Sequence, residues 1–217
     1  MIKRFKEIEG IALNPIRGQD RLAYALSDHT DTYDLIAFNE HGGYKGMTIS
    51  FYDLKGGEIY KPFSLKRNVI YTRPEYIDGR YWFIGADYDD KTVTLYSFLP
   101  ESGAETVTVL DLEKVNLYNL QVMGIKPHVV SQGDVFTCYY PEEFSFPLQG
   151  SETVDFIDDD KVYAEAWVEE DWDEVNNCPG SNYKFYDKLI IKDFKGNTLS
   201  EEKGSVFFAP DGQYYIS

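Results

Sequence analysis

The stretch GSVFFAPDGQYYIS, Gly204 to Ser217, predicts two short β-strands joined by a turn. Val206-Phe-Phe208 and Tyr214-Tyr-Ile216 are apolar and aromatic, and Pro210-Asp-Gly212 between them is a turn sequence. Such a hairpin usually begins an antiparallel meander. We therefore expect the other strands of its sheet to come from elsewhere in the chain.

Strand patterns dominate the rest of the sequence. TVTLYSF, Thr92 to Phe98, and TVTVLDL, Thr106 to Leu112, alternate with the two-residue period of a half-buried strand. A helical turn is indicated only near residues 111–120, without a sustained 3.6-residue pattern. The sequence therefore predicts an all-β protein, and we treat residues 1–217 as a single domain.

An internal repeat organises these strands. Gly103-Ala-Glu-Thr-Val107 recurs as Gly150-Ser-Glu-Thr-Val154. Turn glycines follow a period of about 47 residues, and they are Gly10, Gly56, Gly103, Gly150 and Gly196. A second kind of turn, each followed by an apolar strand, alternates with them at Gly18, Gly79, Gly133, Asp158-Asp-Asp160 and Gly212. Five turns of each kind are typical of five four-stranded meanders.

This architecture resembles the β-propellers, and Phe208-Ala-Pro-Asp-Gly-Gln-Tyr214 is similar to the strand, turn and strand of many propeller repeats. The resemblance implies five blades closed by the two chain ends in one shared blade. Gly204 to Ser217 would supply its inner strands, and Met1 to Leu13 its outer strands. The alternative architecture is an irregular β-sandwich or barrel.

Composition limits the classes of partner. The chain has 21 Lys and Arg against 37 Asp and Glu, a net charge of −16, which argues against nucleic acid and anionic membranes as partners. A basic protein or another cationic ligand fits this charge better. Glu7 and Glu9 interrupt the apolar stretch of a signal peptide, and Cys138 and Cys178 make no disulfide framework. We expect a cytoplasmic protein; a secreted protein whose leader has been removed is the alternative.

Acidic residues concentrate in the loops that we expect between the second and third strands of each blade. The predicted binding residues are Asp28, Asp31, Asp34, Asp87, Asp89, Asp90, Glu142, Glu143, Glu169, Glu170, Asp171, Trp172, Asp173 and Glu174. On one rim they would attract a cationic partner, with Trp172 as an aromatic anchor. Acidic loops that only keep the protein soluble are the other interpretation. Trp82 and Trp167 lie in apolar runs and are expected in the core.

The leading function is therefore a non-enzymatic binding or scaffold protein, with no cofactor or metal expected. The alternative is a carbohydrate-active enzyme, because five-bladed propellers include glycoside hydrolases with paired carboxylates near a central funnel, and Pro74 to Phe83 resembles strand pairs of those families. Their resemblance implies Glu75, Asp87 and Asp155 as candidate catalytic carboxylates. Asp87 to Asp90 and Asp158 to Asp160 offer oxygen ligands but lack the spacing of a calcium loop.

Overall fold

The computed structural model describes residues 2–7 and 10–217. Within them the chain forms nineteen β-strands, one α-helix and one short 3-10 helix. The strands build five antiparallel sheets, each made from consecutive strands, and none closes into a barrel in this part of the chain. The predicted all-β class is confirmed, and the barrel alternative is wrong.

The sheets follow one another along the sequence. Sheet 1 contains β1 (Asn14–Pro15), β2 (Leu22–Leu26), β3 (Ile49–Asp53) and β4 (Ile59–Tyr60). Sheet 2 contains β5 (Val69–Tyr71), β6 (Glu75–Ile77), β7 (Arg80–Asp87), β8 (Thr92–Leu99) and β9 (Gly103–Asp111), with β5 and β6 both paired to β7. Sheet 3 contains β10 (Gln121–Met123), β11 (His128–Gln132), β12 (Val135–Tyr140) and β13 (Phe144–Pro147).

Sheet 4 contains β14 (Thr153–Asp158), β15 (Lys161–Asp173), β16 (Cys178–Lys192) and β17 (Thr198–Lys203). Sheet 5 is the hairpin of β18 (Val206–Phe208) and β19 (Tyr214–Ile216) that the opening stretch predicts. Helix α1 (Asp34–Glu40) lies between β2 and β3 and was not predicted. The predicted helical turn near 111–120 is the 3-10 helix Leu112–Lys114, capped by the Asp111 carboxylate.

Neighbouring sheets are joined by polar contacts and by apolar packing. The Tyr81 hydroxyl of sheet 2 donates to the Gln19 side chain of sheet 1 at 2.9 Å. Phe83 of sheet 2 and Val122 of sheet 3 belong to one buried cluster. Between sheets 3 and 4, the Gln132 amide accepts from the Val154 N–H at 2.9 Å and donates to the Val154 carbonyl at 3.1 Å.

Sheet 5 contacts both the sheet before it and the first sheet of the chain. The ring of Tyr214 lies 3.8 Å from that of Phe156 in sheet 4. On its other side, a Cβ on Gly212 would lie 3.1 Å from the Cα of Gly18, in the β1–β2 turn. The five sheets therefore contact one another in a closed cyclic order.

The shared blade predicted for the chain ends is not formed by the described residues. Sheet 5 has two strands, and the segment before β1 packs on sheet 1 instead. The Ile11 N–H donates to the Leu26 carbonyl at 3.0 Å, and the Phe5 ring contacts Tyr52 at 5.0 Å. These contacts direct the segment to the edge of sheet 1. Met1, Ile8 and Glu9 of the predicted strands lie outside the described residues.

The predicted turn series is displaced in sheet 3. Gly56 and Gly196 lie between the third and fourth strands of their sheets and Gly103 begins β9 after the β8–β9 turn, but Gly150 lies in the link between sheets 3 and 4. Gly133 joins the second and third strands of its sheet, whereas Gly18, Gly79 and Gly212 join first and second strands. The reason is that the last turn of sheet 3, residues 141–143, contains no glycine, so a glycine-based register skips it.

Both cysteines are free thiols, with Cys138 buried and Cys178 exposed, so the described chain contains no disulfide between them. Burial raises the pKa of the Cys138 thiol to about 12, which makes it a small core side chain and not a nucleophile.

Closure through Gly212 can be tested by substitution. Gly212 has φ +88°, and a Cβ added to it would lie 3.1 Å from the Cα of Gly18. Gly79 has a similar φ of +76°, but no atom lies within 4 Å of the place that its Cβ would occupy. We expect Gly79→Ala to lower the free energy of unfolding only by the cost of a left-handed backbone, about 1–2 kcal/mol. Gly212→Ala should lower it more, because the added Cβ also pushes sheets 1 and 5 apart. Urea unfolding of both variants measures the difference, and equal losses would contradict this contact.

Candidate functional site

A central pocket of about 320 Å³ lies where the five sheets meet. All five sheets contribute lining side chains, and these include Arg17 of the β1–β2 turn, Glu75 of β6, Gln121 of β10, Asp155 of β14, Phe208 of β18 and Tyr214 of β19. Four of the strands around the pocket, β1, β6, β10 and β18, have only two or three residues each, which leaves room between the sheets. Two of the three predicted catalytic candidates, Glu75 and Asp155, therefore lie in the same pocket.

Glu75 sits on the β6 wall of the central pocket. Burial raises the pKa of its carboxyl, while the positive charges of Arg17 and Arg73 act in the opposite direction. The Arg17 guanidinium also lies over the Phe208 ring, 5.8 Å from its centre. Glu75 thus faces the pocket from a half-buried position with two cations in its vicinity.

Asp155 occupies the β14 wall in a different charge environment. It is the extra residue of a β-bulge, since its neighbours Val154 and Phe156 pair with the adjacent residues Ala164 and Tyr163 of β15. Desolvation by the surrounding protein raises the pKa of Asp155 to about 7, and the negative charges of Glu165 and Asp187 add to this rise. Water reaches the side chain through the pocket, so the carboxyl is accessible to a ligand.

Asp87, the third catalytic candidate, lies elsewhere. It lines a second cavity of about 430 Å³ with Phe63, Tyr71 and Tyr96. Its carboxylate contacts the Lys66 ammonium at 2.5 Å and accepts the backbone N–H groups of Asp89 and Asp90. It is therefore committed to a turn and an ion pair.

Several predicted binding acids have structural roles in the loops of sheets 1 and 2. Lys45 pairs with Asp28 at 2.7 Å and lowers the pKa of that carboxyl to about 2. Asp31 accepts the N–H of Asp34 through its carbonyl, and Asp34 begins α1. Lys66 pairs with Asp90 at 2.6 Å. Asp89 accepts from the Asn68 amide at 2.8 Å.

Glu142 and Glu143 lie in a different kind of loop from the other predicted binding residues. They connect β12 to β13, the third and fourth strands of sheet 3, whereas the other groups connect second and third strands. Successive hairpin turns lie at opposite ends of a meander, so the two glutamates sit at the other end of their sheet. The negative charge of Glu142 contributes to the raised pKa of Lys126 in the β10–β11 turn, which lies at the same end of sheet 3. The predicted common rim therefore excludes this pair.

The remaining predicted residues lie on a projecting ribbon. Only residues up to Glu165 of β15 pair with β14, and only residues from Lys188 of β16 pair with β17. Between these limits and the tip, residues 166–173 and 178–187 pair only with each other. We call this two-stranded extension, residues 166–187, the ribbon. Its acids include Glu169, Glu170, Asp171, Asp173 and Glu174.

An aromatic strip runs along the ribbon and was not predicted from the sequence. Trp167 and Phe185 are 48% and 60% exposed, and their rings stack with centres 4.9 Å apart. Tyr183 lies 6.2 Å from Phe185 and 5.7 Å from Trp172, which continues the strip toward the tip. The expectation that Trp167 belongs to the core is wrong, because it points outward from the part of β15 that has left the sheet. Trp82 is half-buried and packs against the core.

The acids of the ribbon are tied into it to different degrees. Asp171 accepts the Asn182 N–H at 2.7 Å, and Asp173 accepts the N–H groups of Val175 and Asn176 in the tip. Glu169 accepts the Tyr183 hydroxyl, and Glu170 that of Tyr186 at 3.0 Å. These bonds hold the carboxylates in place beside the aromatic rings.

No protein family model matches this chain, and no curated protein matches it in sequence. Among the described residues, no group of three or more His, Cys, Asp or Glu is arranged to hold a metal ion. The described helices include none that is long and apolar enough to cross a membrane.

The charge environment of Asp155 predicts its titration. Its folded carboxyl keeps a proton up to about pH 7, whereas the unfolded carboxyl loses it near the ordinary value of 3.8, so this group makes the fold less stable as pH rises between these values. Asp187→Asn should lower the pH at the midpoint of the Asp155 titration, because it removes a negative neighbour. Carboxyl-carbon NMR of the Asp155 side chain measures this midpoint. Asp134→Asn, an exposed acid outside the pocket, is the control. Equal midpoints in all three proteins would exclude a contribution of the Asp187 charge to the pKa of Asp155.

Proposed function

We propose that this chain is a non-enzymatic binding or scaffold protein that contacts a positively charged partner, and that the ribbon is the contact surface. The observation that carries the proposal is the aromatic strip, in which exposed Trp167 and Phe185 lie beside carboxylates on an extension that no third strand covers. This acidic group combines negative charge with exposed aromatic rings that stack on each other.

The chemistry of the strip suits lysine and arginine side chains. Their cationic groups are attracted to aromatic faces and to carboxylates, and Trp is the strongest aromatic partner. In the register of the ribbon, Glu169 is opposite Phe185 and Asp187 is opposite Trp167, so each large ring has a carboxylate directly across the strands. A basic peptide segment laid along the ribbon would meet both kinds of group at once.

We propose for the fold itself that the five sheets are the blades of a five-bladed propeller. The support is the cyclic order of the contacts and the position of first strands around the central pocket. Closure would then depend on sheet 5 packing between sheets 4 and 1, instead of on a strand supplied by the other chain end. Two free cysteines support the proposal of a cytoplasmic protein.

Binding of a lysine-rich synthetic peptide tests the ribbon. We expect saturable binding that weakens as salt is raised, since the attraction is between exposed charges. Trp167→Ala should weaken it about tenfold or more, the effect of removing one aromatic anchor. The measurement is fluorescence anisotropy of the labelled peptide, with a glutamate-rich peptide of equal length as the negative probe.

Matched variants separate the ribbon from general negative charge. Glu169→Gln with Glu174→Gln removes two acids from the ribbon, and Glu142→Gln with Glu143→Gln removes two from the far end of sheet 3. Only the first pair should weaken peptide binding by several-fold. Equal losses in both pairs would show that net charge alone attracts the peptide, and the proposed surface would then be wrong. Tyr118→Ala, an exposed ring elsewhere, is the control for Trp167→Ala.

The alternative function, a carbohydrate-active enzyme, is favoured by one observation. Glu75 and Asp155 line the same pocket in unequal charge environments, and glycosidase chemistry needs one protonated and one ionised carboxyl. This function requires a chromogenic glycoside to be hydrolysed, with the rate lost in both Glu75→Gln and Asp155→Asn. Hydrolysis that survives either substitution would exclude it.

A further inference from the structure

The central pocket is unevenly charged. Around Glu75, the cations Arg17 and Arg73 offset the carboxylate. Around Asp155, the neighbouring charges are those of Glu165 and Asp187, both negative. The pocket therefore has one balanced wall and one wall where negative charge is in excess.

Asp155 lacks a protein partner among the described residues. No ion pair or hydrogen bond is made by its carboxyl, whereas nearby Glu165 accepts the Val206 N–H and so links sheet 4 to sheet 5. A carboxylate beside two other acids is stabilised when a cation arrives, because the cation offsets the repulsion between the negative charges. A neutral ligand would leave that repulsion in place.

Two aromatic residues, Phe208 and Tyr214, line the same pocket as Asp155. Tyr214 lies between Phe156, at 3.8 Å between ring centres, and Phe208, at 4.4 Å. Aromatic faces attract alkylammonium groups and also pack well against their apolar chains. The volume of about 320 Å³ is at the lower end of the range for small-molecule sites.

We propose that the central pocket binds a small organic cation, a primary alkylammonium ion, with its charged group at Asp155 and its alkyl chain against Tyr214 and Phe208. A metal ion is a poorer occupant, because the described residues contain no cluster of three potential ligands. The site adjoins the base of the ribbon, since Asp187 neighbours Asp155 and is opposite Trp167, but it holds a free small molecule, not a protein side chain.

Binding at this site is linked to the release of a proton. The ammonium ion favours the ionised carboxyl, so below about pH 7 it must displace the proton of Asp155, which passes to the buffer. Affinity should therefore rise from about pH 6 to about pH 8 and then level off, since an alkylamine keeps its own proton until near pH 10. The ionisable groups that neighbour Asp155 are Glu165 and Asp187, and Glu75, Arg17 and Tyr214 line the same pocket.

Calorimetric titration with n-butylammonium, n-butanol and butyrate tests the proposal. We expect saturable binding of the cation and none of the neutral or anionic analogue. Asp155→Asn should weaken the affinity for the cation about tenfold to a hundredfold, as expected for loss of one charge-assisted hydrogen bond. It should also abolish the rise of this affinity with pH. Asp134→Asn should leave affinity unchanged, and Glu75→Gln should have a smaller effect because Arg17 already offsets that charge.

Two further results keep the outcome interpretable. The far-ultraviolet circular dichroism and unfolding midpoint of Asp155→Asn confirm that the variant folds, and Glu169→Gln with Glu174→Gln should bind n-butylammonium normally, which separates this site from the ribbon. No saturable binding, or equal binding by Asp155→Asn, overturns the proposal. Binding of n-butanol or of a neutral sugar in place of the cation also overturns it and supports the carbohydrate-active alternative.

Discussion

The fold depends on every sheet packing against two neighbouring sheets. Each sheet contacts the sheets next to it in chain order, and sheet 5 contacts sheet 1, so the apolar side chains between them are removed from water. Sheet 5 is the smallest, with two three-residue strands, yet it must connect sheet 4 to sheet 1. It does so with stacked rings on one side and the Gly18–Gly212 approach on the other.

The same constraint creates the central pocket. Strands β1, β6, β10 and β18 have two or three residues each and carry few side chains, so they do not fill the space where they converge. The backbone groups at this centre need partners, and the Gln132 side chain provides one pair for Val154. Charged side chains can remain in such a place only where water reaches them, as it does at Asp155. A polar pocket is therefore a consequence of how the sheets meet.

Sequence reasoning could find the fold class, the number of sheets and two residues of the pocket. Alternation and turn residues identify strands such as Thr92 to Leu99 reliably, because those signals are local. The turn positions predicted for sheet 3 were wrong because its third turn has no glycine. Helix α1 was missed because its seven residues carry only one buried side chain, Leu35. The fate of the segment before β1 depends on tertiary contacts such as Phe5 with Tyr52, which no local pattern encodes.

The acidic residues divide by what surrounds them, and composition cannot show this division. Asp28, Asp53 and Asp90 are ionised beside lysine or arginine, so their charge is already offset within the protein. A carboxylate paired in this way offers little to a partner, since a new cation would have to displace the old one. Asp155 has two acids for neighbours instead, and the ribbon acids have tyrosine hydroxyls and backbone N–H groups, which hold the charge without cancelling it. Attraction for a cation should therefore be greatest at these two places, although they hold only a small share of the 37 acidic residues.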